Sequence, residues 1–384
     1  MNLENVAAEL CEDKTINNFV LNQSKKVFSN QCDYDMVVFC HLRWDFVYQR
    51  PQHIISRFSH ELKVLFVEEP VDRIEKGSLV FEVNPNLHVF QPNISDLTKL
   101  PDLLSKFFRI NNTAIAWFYS PSFVGVLSEF LFSLVVYDCM DELSLFKGAS
   151  SELIFQEKLL LSRASIVFTG GKSLFEAKSI LHPNVFCFPS SVDIAHFSKA
   201  KNGISIPSEL SSIPSPVIGY FGVLDERLDF ELIRKTAEIL PKCSFVFIGP
   251  VVKIGMEELP RLTNIHYLGI KPYTQLPYYL KGFDIAMMPF ALNESTRFIS
   301  PTKTLEYMSA GKPIISTAIK DVVRDYSSIV KFISSADDFA FEVKRILADE
   351  AQKMNDHYEA ILKRTSWDIT VSSMKSIINE TIEK

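Results

Sequence analysis

At 384 residues the chain is too long for one ordinary core, so two domains are expected. A hydrophobic share of 47% beside 22% charged residues excludes a disordered chain, and a net charge of −6 without a Lys/Arg cluster argues against nucleic acid as a partner. No uncharged run of about 18 apolar residues is present to span a membrane, and the acid-bearing N-terminus lacks a signal-peptide apolar region, so the expected location is the cytoplasm.

Residues 1–33 read as a polar extension. Beyond them, short β-branched or aromatic runs alternate with longer helical patterns, the signature of parallel sheets covered on both faces. A first domain, 34–200, holds predicted strands at 36–40, 63–67, 87–90, 114–119, 134–137, 165–168 and 185–188. The stretch 201–215, rich in Ser and Pro and poor in aromatics, reads as a linker. A second domain, 216–365, holds predicted strands at 217–221, 244–248, 265–268, 284–289, 313–316 and 329–333, and 366–384 reads as a final helix. The fold class is therefore α/β, with two doubly wound parallel-sheet domains facing a cleft. The six cysteines have no C-x-x-C spacing and read as buried thiols of a reducing compartment.

In doubly wound sheets ligands bind beyond the carboxyl ends of the strands, and this sorts the motifs. Asp33-Tyr34-Asp35 precedes its strand and reads as a solvated strand start rather than a metal site. Arg43, Arg50 and His53 follow the first strand, with Pro51 suited to a helix start, and gather as an anion site at the ligand end; packing of the turn by Trp44, Phe46 and Tyr48 is the plainer reading. Asp138 and Asp141 flank another strand end, where Asp141 can orient a ligand hydroxyl or take its proton and either can cap a helix. Gly170 and Gly171 open a further loop. Leu100, Leu103, Leu104, Phe107 and Phe108 form an apolar stripe beside Lys99, Lys106 and Arg109, read first as a sheet cover and second as a peripheral contact with an anionic membrane.

The most informative stretch is Ser300-Pro301-Thr302-Lys303-Thr304-Leu305-Glu306. Ser300 suits an N-cap and Pro301 the first helical position, which predicts a helix from about 301 to 310, ended at Gly311. Lys303 then sits in the first turn, where backbone N–H groups and the macrodipole already make a positive field; a cation there costs about 0.3 to 1 kcal/mol unless an anion faces it. A bound phosphate supplies that anion. Glu306, one turn on, is placed to accept ribose hydroxyls. The alternative is an ordinary i,i+3 surface pair.

Trp44-Asp45-Phe46-Val47-Tyr48-Gln49-Arg50-Pro51-Gln52-His53, Tyr137-Asp138-Cys139-Met140-Asp141-Glu142-Leu143, Phe168-Thr169-Gly170-Gly171, Pro189-Ser190-Ser191-Val192-Asp193 and Ser300-Pro301-Thr302-Lys303 together resemble bacterial family-four glycosyltransferases of the GT-B fold. The similar branch is often associated with UDP-galactopyranose mutase and surface-polysaccharide clusters. The resemblance covers about 36–367 and implies two Rossmann-like domains, a carbohydrate or lipid-linked acceptor on the first and a nucleoside-diphosphate sugar on the second, and a last helix returning to the first domain. It implies Glu306 on the ribose, Lys303 with Ser300, Pro301 and Thr302 on the diphosphate, Arg227 neutralising that diphosphate, Gly222 and Gly249 beside the ligand, and Ile270 with Lys271 near the base. It implies no metal and no further cofactor. A salt bridge of Arg227 to Asp225 or Glu226 is the plainer reading of that arginine.

One position departs from the family. Its E-x7-E pattern places a glutamate at 298, yet Phe298 stands there. That puts retention or sugar choice in doubt and brings Asn293, Glu294, Ser295 and Arg297 forward as sugar contacts. Three functions follow: a metal-independent, retaining glycosyltransferase; a catalytically silent module binding nucleotide-sugar or glycan in a polysaccharide assembly complex; and, ranked last, a nucleotide-sugar epimerase of similar fold.

Overall fold

The computed structural model describes residues 33–71, 77–348 and 355–383, so the N-terminal extension, Cys11 and Cys32 lie outside the described residues. Packing divides the chain into two compact units, 1–138 with 152–165 and 139–151 with 166–384. The break in packing thus falls earlier than the Ser- and Pro-rich stretch 201–215.

The first unit is built on β1 (Asp33–Cys40), β2 (Val64–Glu68), β3 (Leu79–Asn84), β4 (Leu87–Gln91), β5 (Arg109–Phe118) and β6 (Leu134–Cys139), in the order β3-β4-β2-β1-β5-β6. All pairs are parallel except β3 with β4. Met36 to Cys40 are wholly buried on both faces, as an apolar run in a central parallel strand must be. The antiparallel edge strand β3 is absent from the sequence reading. Its signal is a turn at Asn84-Pro85-Asn86 between two β-prone runs, and its half-exposed pattern is weaker than the buried runs around it. The stripe at 100–108 covers the sheet through buried Leu100 and Leu104, with Phe108 edge-on to Phe90 and Tyr34.

In the second unit β7 (Ile166–Thr169) and β8 (Val185–Cys187) pair in parallel. A six-stranded, fully parallel sheet follows: β9 (Val217–Phe221), β10 (Ser244–Ile248), β11 (Ile265–Tyr267), β12 (Ile285–Met288), β13 (Ile314–Thr317) and β14 (Lys331–Ile333). Their order is β11-β10-β9-β12-β13-β14, the doubly wound Rossmann order, which reverses between β9 and β12. A ligand crevice opens at such a reversal, so the loops leaving β9 and β12 are where a site is expected. The last helix, Trp367–Ile382, is anchored by its buried Trp367 and by Thr370 Oγ1, 2.7 Å from Ser191 Oγ.

Candidate functional site

The helix after β12 runs from Lys303 to Ser309. Its N-cap is Thr302 in helical conformation with no side-chain cap, so the expected cap at Ser300 and start at Pro301 are corrected: Pro301 provides only a turn carbonyl, for Thr304 N–H, and the Ser300 carbonyl accepts from Ser190 Oγ. Lys303 is still in the first turn. Its ammonium folds back over the end of β9, 5.4 Å from the Tyr220 ring centroid, and it forms no ion pair among the described residues. Burial holds its pKa below the usual lysine value, Arg227 adds to that, and Glu306 opposes it. Burial likewise pushes the Glu306 carboxyl up to about 7, with Lys303 pulling the other way. Two desolvated groups of opposite sign thus face each other without closing an ion pair, an arrangement that stabilises neither charge fully.

Gly222 and Gly249 make this geometry possible. Both have left-handed φ, +138° and +146°. A Cβ on Gly222 would meet Lys303 Cε at 2.4 Å, and one on Gly249 would meet the Gly222 carbonyl oxygen at 1.9 Å. These glycines serve the approach of Lys303 and of each other's loop, a requirement visible without any ligand. The two loops are joined by backbone bonds: Gly222 N–H to Ile248 O, 2.8 Å, and Leu224 N–H to Pro250 O, 2.9 Å.

Arg227 follows in the β9 loop. Asp225 takes its Nε at 3.0 Å and Nη2 at 2.7 Å, so the salt bridge weighed in the sequence is formed. That pairing uses two nitrogens and leaves Nη1 without a hydrogen bond among the described residues, on a side chain 25% exposed. The Asp225 pair, with Asp141 adding its field, outweighs burial and keeps the guanidinium firmly protonated. Asp141 also acts on Lys303, so Asp141, Arg227, Lys303 and Glu306 share one electrostatic neighbourhood. Ile270, beyond β11, is exposed, while its neighbour Lys271 is committed to Glu209 at 2.7 Å. Arg297 lies over the Phe298 ring at 5.3 Å and pairs with Glu294 at 3.3 Å. Phe146 and Lys253 also belong to this group although no sequence signal singled them out beyond the position of Lys253 just after a strand; both Arg227 and Lys253 face the Phe146 ring.

Gly170 and Gly171 are close-packing positions: an added Cβ would meet Met140 O and Asp321 Oδ2, each at 2.7 Å. Buried Asp321 accepts from Ser173 N and Oγ at the start of the helix Lys172–Lys178. Buried Lys178 pairs with Glu142 at 2.7 Å, a contact the sequence did not signal.

In the first unit the expected anion cluster is filled from within. Arg50 is buried and grips fully buried Asp138, Nη2 to Oδ1 at 2.8 Å and Nε to both oxygens at 3.1 Å. Arg43 bonds to Glu68 and to the Glu69 and Pro70 carbonyls. His53 is buried against Tyr48, and Trp44 packs on Phe66, so the turn-packing reading describes this region. Asp138 consequently caps no helix; it neutralises Arg50. Asp35 accepts from Lys63 N–H, as a strand-start carboxylate does. Among the described residues no group of three or more His, Cys, Asp or Glu is placed to hold a metal ion, and no helix is long and apolar enough to cross a membrane.

Comparison with known proteins bears on this geometry. Residues 215–349, the six-stranded sheet and its helices, match the family described as Glycosyl transferases group 1. The chain carries a group 1 glycosyltransferase domain. Arg227, Lys303 and Glu306 all lie within that glycosyltransferase domain. The chain is similar to a putative teichuronic acid biosynthesis glycosyltransferase, TuaH, of Bacillus subtilis, 26% identical over 237 residues, 58% of this chain and 59% of that protein; the match thus spans about three fifths of the relative's length. Among solved structures, sucrose-phosphate synthase from Thermosynechococcus elongatus superposes with a TM-score of 0.66 at 13% identity, over 90% of this chain and 98% of that one. Anabaena HepE in complex with UDP-glucose gives 0.65 at 12% identity, over 90% and 99%. These likenesses show the fold around the glycosyltransferase domain to be GT-B, with two Rossmann-like sheets.

Proposed function

We propose that this protein is a glycosyltransferase that moves a sugar from a nucleoside-diphosphate donor to a carbohydrate or lipid-linked glycan acceptor, with retention, in the synthesis of a cell-surface polysaccharide. The observation that carries the reading is Lys303, half-buried and without an ion-pair partner among the described residues, in the first turn of a helix after β12 and in the field of Arg227, whose Nη1 is open. Lys303 lacks an anion and Arg227 keeps a donor open beside its aspartate, and a diphosphate supplies the anion for both. The likeness to HepE, described with UDP and with UDP-glucose, supports a nucleotide-sugar donor, and the likeness to TuaH supports a surface-polysaccharide product.

In this reading Glu306 accepts the ribose hydroxyls and the loops at Gly222 and Gly249 border the donor, with Ile270 at its base. As the acceptor oxygen bonds the anomeric carbon, the bond to the diphosphate breaks and its electron pair leaves with the phosphate. Arg227 and Lys303 stabilise that charge, which side chains can do without a metal, and Asp141 takes the acceptor proton. A thermal-shift screen of the full chain with UDP-, GDP-, ADP- and dTDP-sugars tests the donor class; stabilisation by one of them is expected, and the absence of any shift overturns the proposal.

Phe298 favours a second reading, binding without transfer, because an aromatic ring under Arg297 occupies the place of the family's first glutamate. Donor binding without release of nucleoside diphosphate, across a broad acceptor panel, would decide for it.

A further inference from the structure

Lys253 has an unusual backbone for its residue type. Its φ is +64°, where no other described non-glycine residue lies, and it stands in the loop leaving β10. Left-handed backbone is uncommon outside glycine, and Asn and Asp take it more readily than lysine. The residue is not placed loosely. Val252 N–H bonds to Leu224 O at 3.0 Å and Val251 forms a bridge with Leu224, which fastens this loop to the one carrying Arg227. The Lys253 ammonium then lies 5.0 Å from the centroid of the Phe146 ring, and the Arg227 guanidinium lies 5.6 Å from the same centroid. Arg227 has Asp225, but Lys253 has no ion pair among the described residues.

Two cations against one ring, only one of them with a carboxylate partner, leave uncompensated positive charge at that ring. An anion bound there neutralises it. The position, past the carboxyl ends of β9 and β10 next to the sheet reversal, is the ligand end of the unit. We propose that Lys253 is a further ligand-binding cation of this site, held against the same Phe146 ring as Arg227 so that the two grip the diphosphate of the donor, which carries one negative charge on each phosphate. This rests on the donor reading above. Phe146 acts as a positioning residue: it keeps the ammonium directed at the anion instead of into solvent.

The test compares nucleoside diphosphate with monophosphate, because a cation on the second phosphate changes their affinity ratio and a structural lysine does not. Calorimetry on the full chain would measure UDP against UMP, with the ADP, GDP and dTDP pairs in parallel to fix the preferred base. Lys253→Gln is expected to weaken diphosphate binding about tenfold and leave the monophosphate within about twofold, Lys253→Arg to restore most of the loss, and Phe146→Leu to weaken diphosphate binding about threefold. An unchanged ratio in Lys253→Gln, with wild-type diphosphate binding intact, overturns this inference alone. Equal loss for both nucleotides overturns it too, by showing a structural role. Wild-type protein that binds none of the four diphosphates overturns the donor reading and this inference with it.

Discussion

Arg50 and Arg227 each hold an aspartate through Nε and Nη2, yet the surroundings differ in kind. Arg50 and Asp138 are both buried to within 5%, and the charges satisfy each other inside the first unit. Arg227 keeps a quarter of its side chain exposed and an open Nη1, with Lys303 and Lys253 nearby in the same unit and neither ion-paired among the described residues. The contrast teaches that an arginine at a strand's ligand end is not evidence of a site by itself. What marks a site is charge that the protein has placed and not cancelled.

The sharpest way to break that contrast is to cut each pair. Arg50→Ala leaves Asp138 buried and unneutralised, so urea unfolding should show a loss of about 3 to 5 kcal/mol; a loss below about 1 kcal/mol would mean that the pair is not the structural element described. Lys303→Ala should lower kcat about 100- to 1000-fold, read as nucleoside diphosphate release, with the melting temperature nearly unchanged. Unchanged turnover would remove it from the chemistry. Glu306→Gln should weaken donor binding about tenfold.

Glu306 also predicts a pH dependence. Its carboxyl rises to about 7 in the fold from an ordinary 4.5, so its contribution to ligand-free stability is fully present below about 4.5 and is lost as pH rises through about 7. Ribose hydroxyls favour the ionised carboxylate, so affinity for UDP-glucose, whose phosphates do not titrate in this range, should strengthen from pH 6 to 8. Glu306→Gln should flatten both profiles; a wild-type slope in that variant assigns the titration elsewhere. The smallest effect belongs to Asp225→Asn. On a partly exposed pair it should cost less than about 1 kcal/mol of stability, against the several expected at Arg50.

Much of this organisation was legible in the sequence because parallel strands buried on both faces leave unbroken apolar runs. All six strands of the large sheet of the second unit lie within a residue or two of their predicted positions, since runs such as Val217 to Phe221 are short, apolar and bounded by Pro216 and Gly222. The edge strand β3 was not legible because two of its six residues are exposed and none is buried, so it leaves neither an apolar run nor an alternation. The first-turn seat of Lys303 and its nearness to Glu306 followed from helix spacing alone. Where the lysine tip goes did not, for it depends on Gly222 lacking a side chain 81 positions earlier in the chain. The fate of Arg50 was hidden for the same reason: Asp138 lies 88 residues away, and no local pattern announces a partner across that separation.

The 1.9 Å approach at Gly249 carries a practical meaning for anyone seeking to alter what this site accepts. Even alanine cannot be seated there without driving two loops apart, so randomised libraries that include positions 222 or 249 would spend their diversity on misfolded clones. Variation belongs instead at exposed Ile270, where a new side chain meets solvent and the scaffold beneath it stays whole.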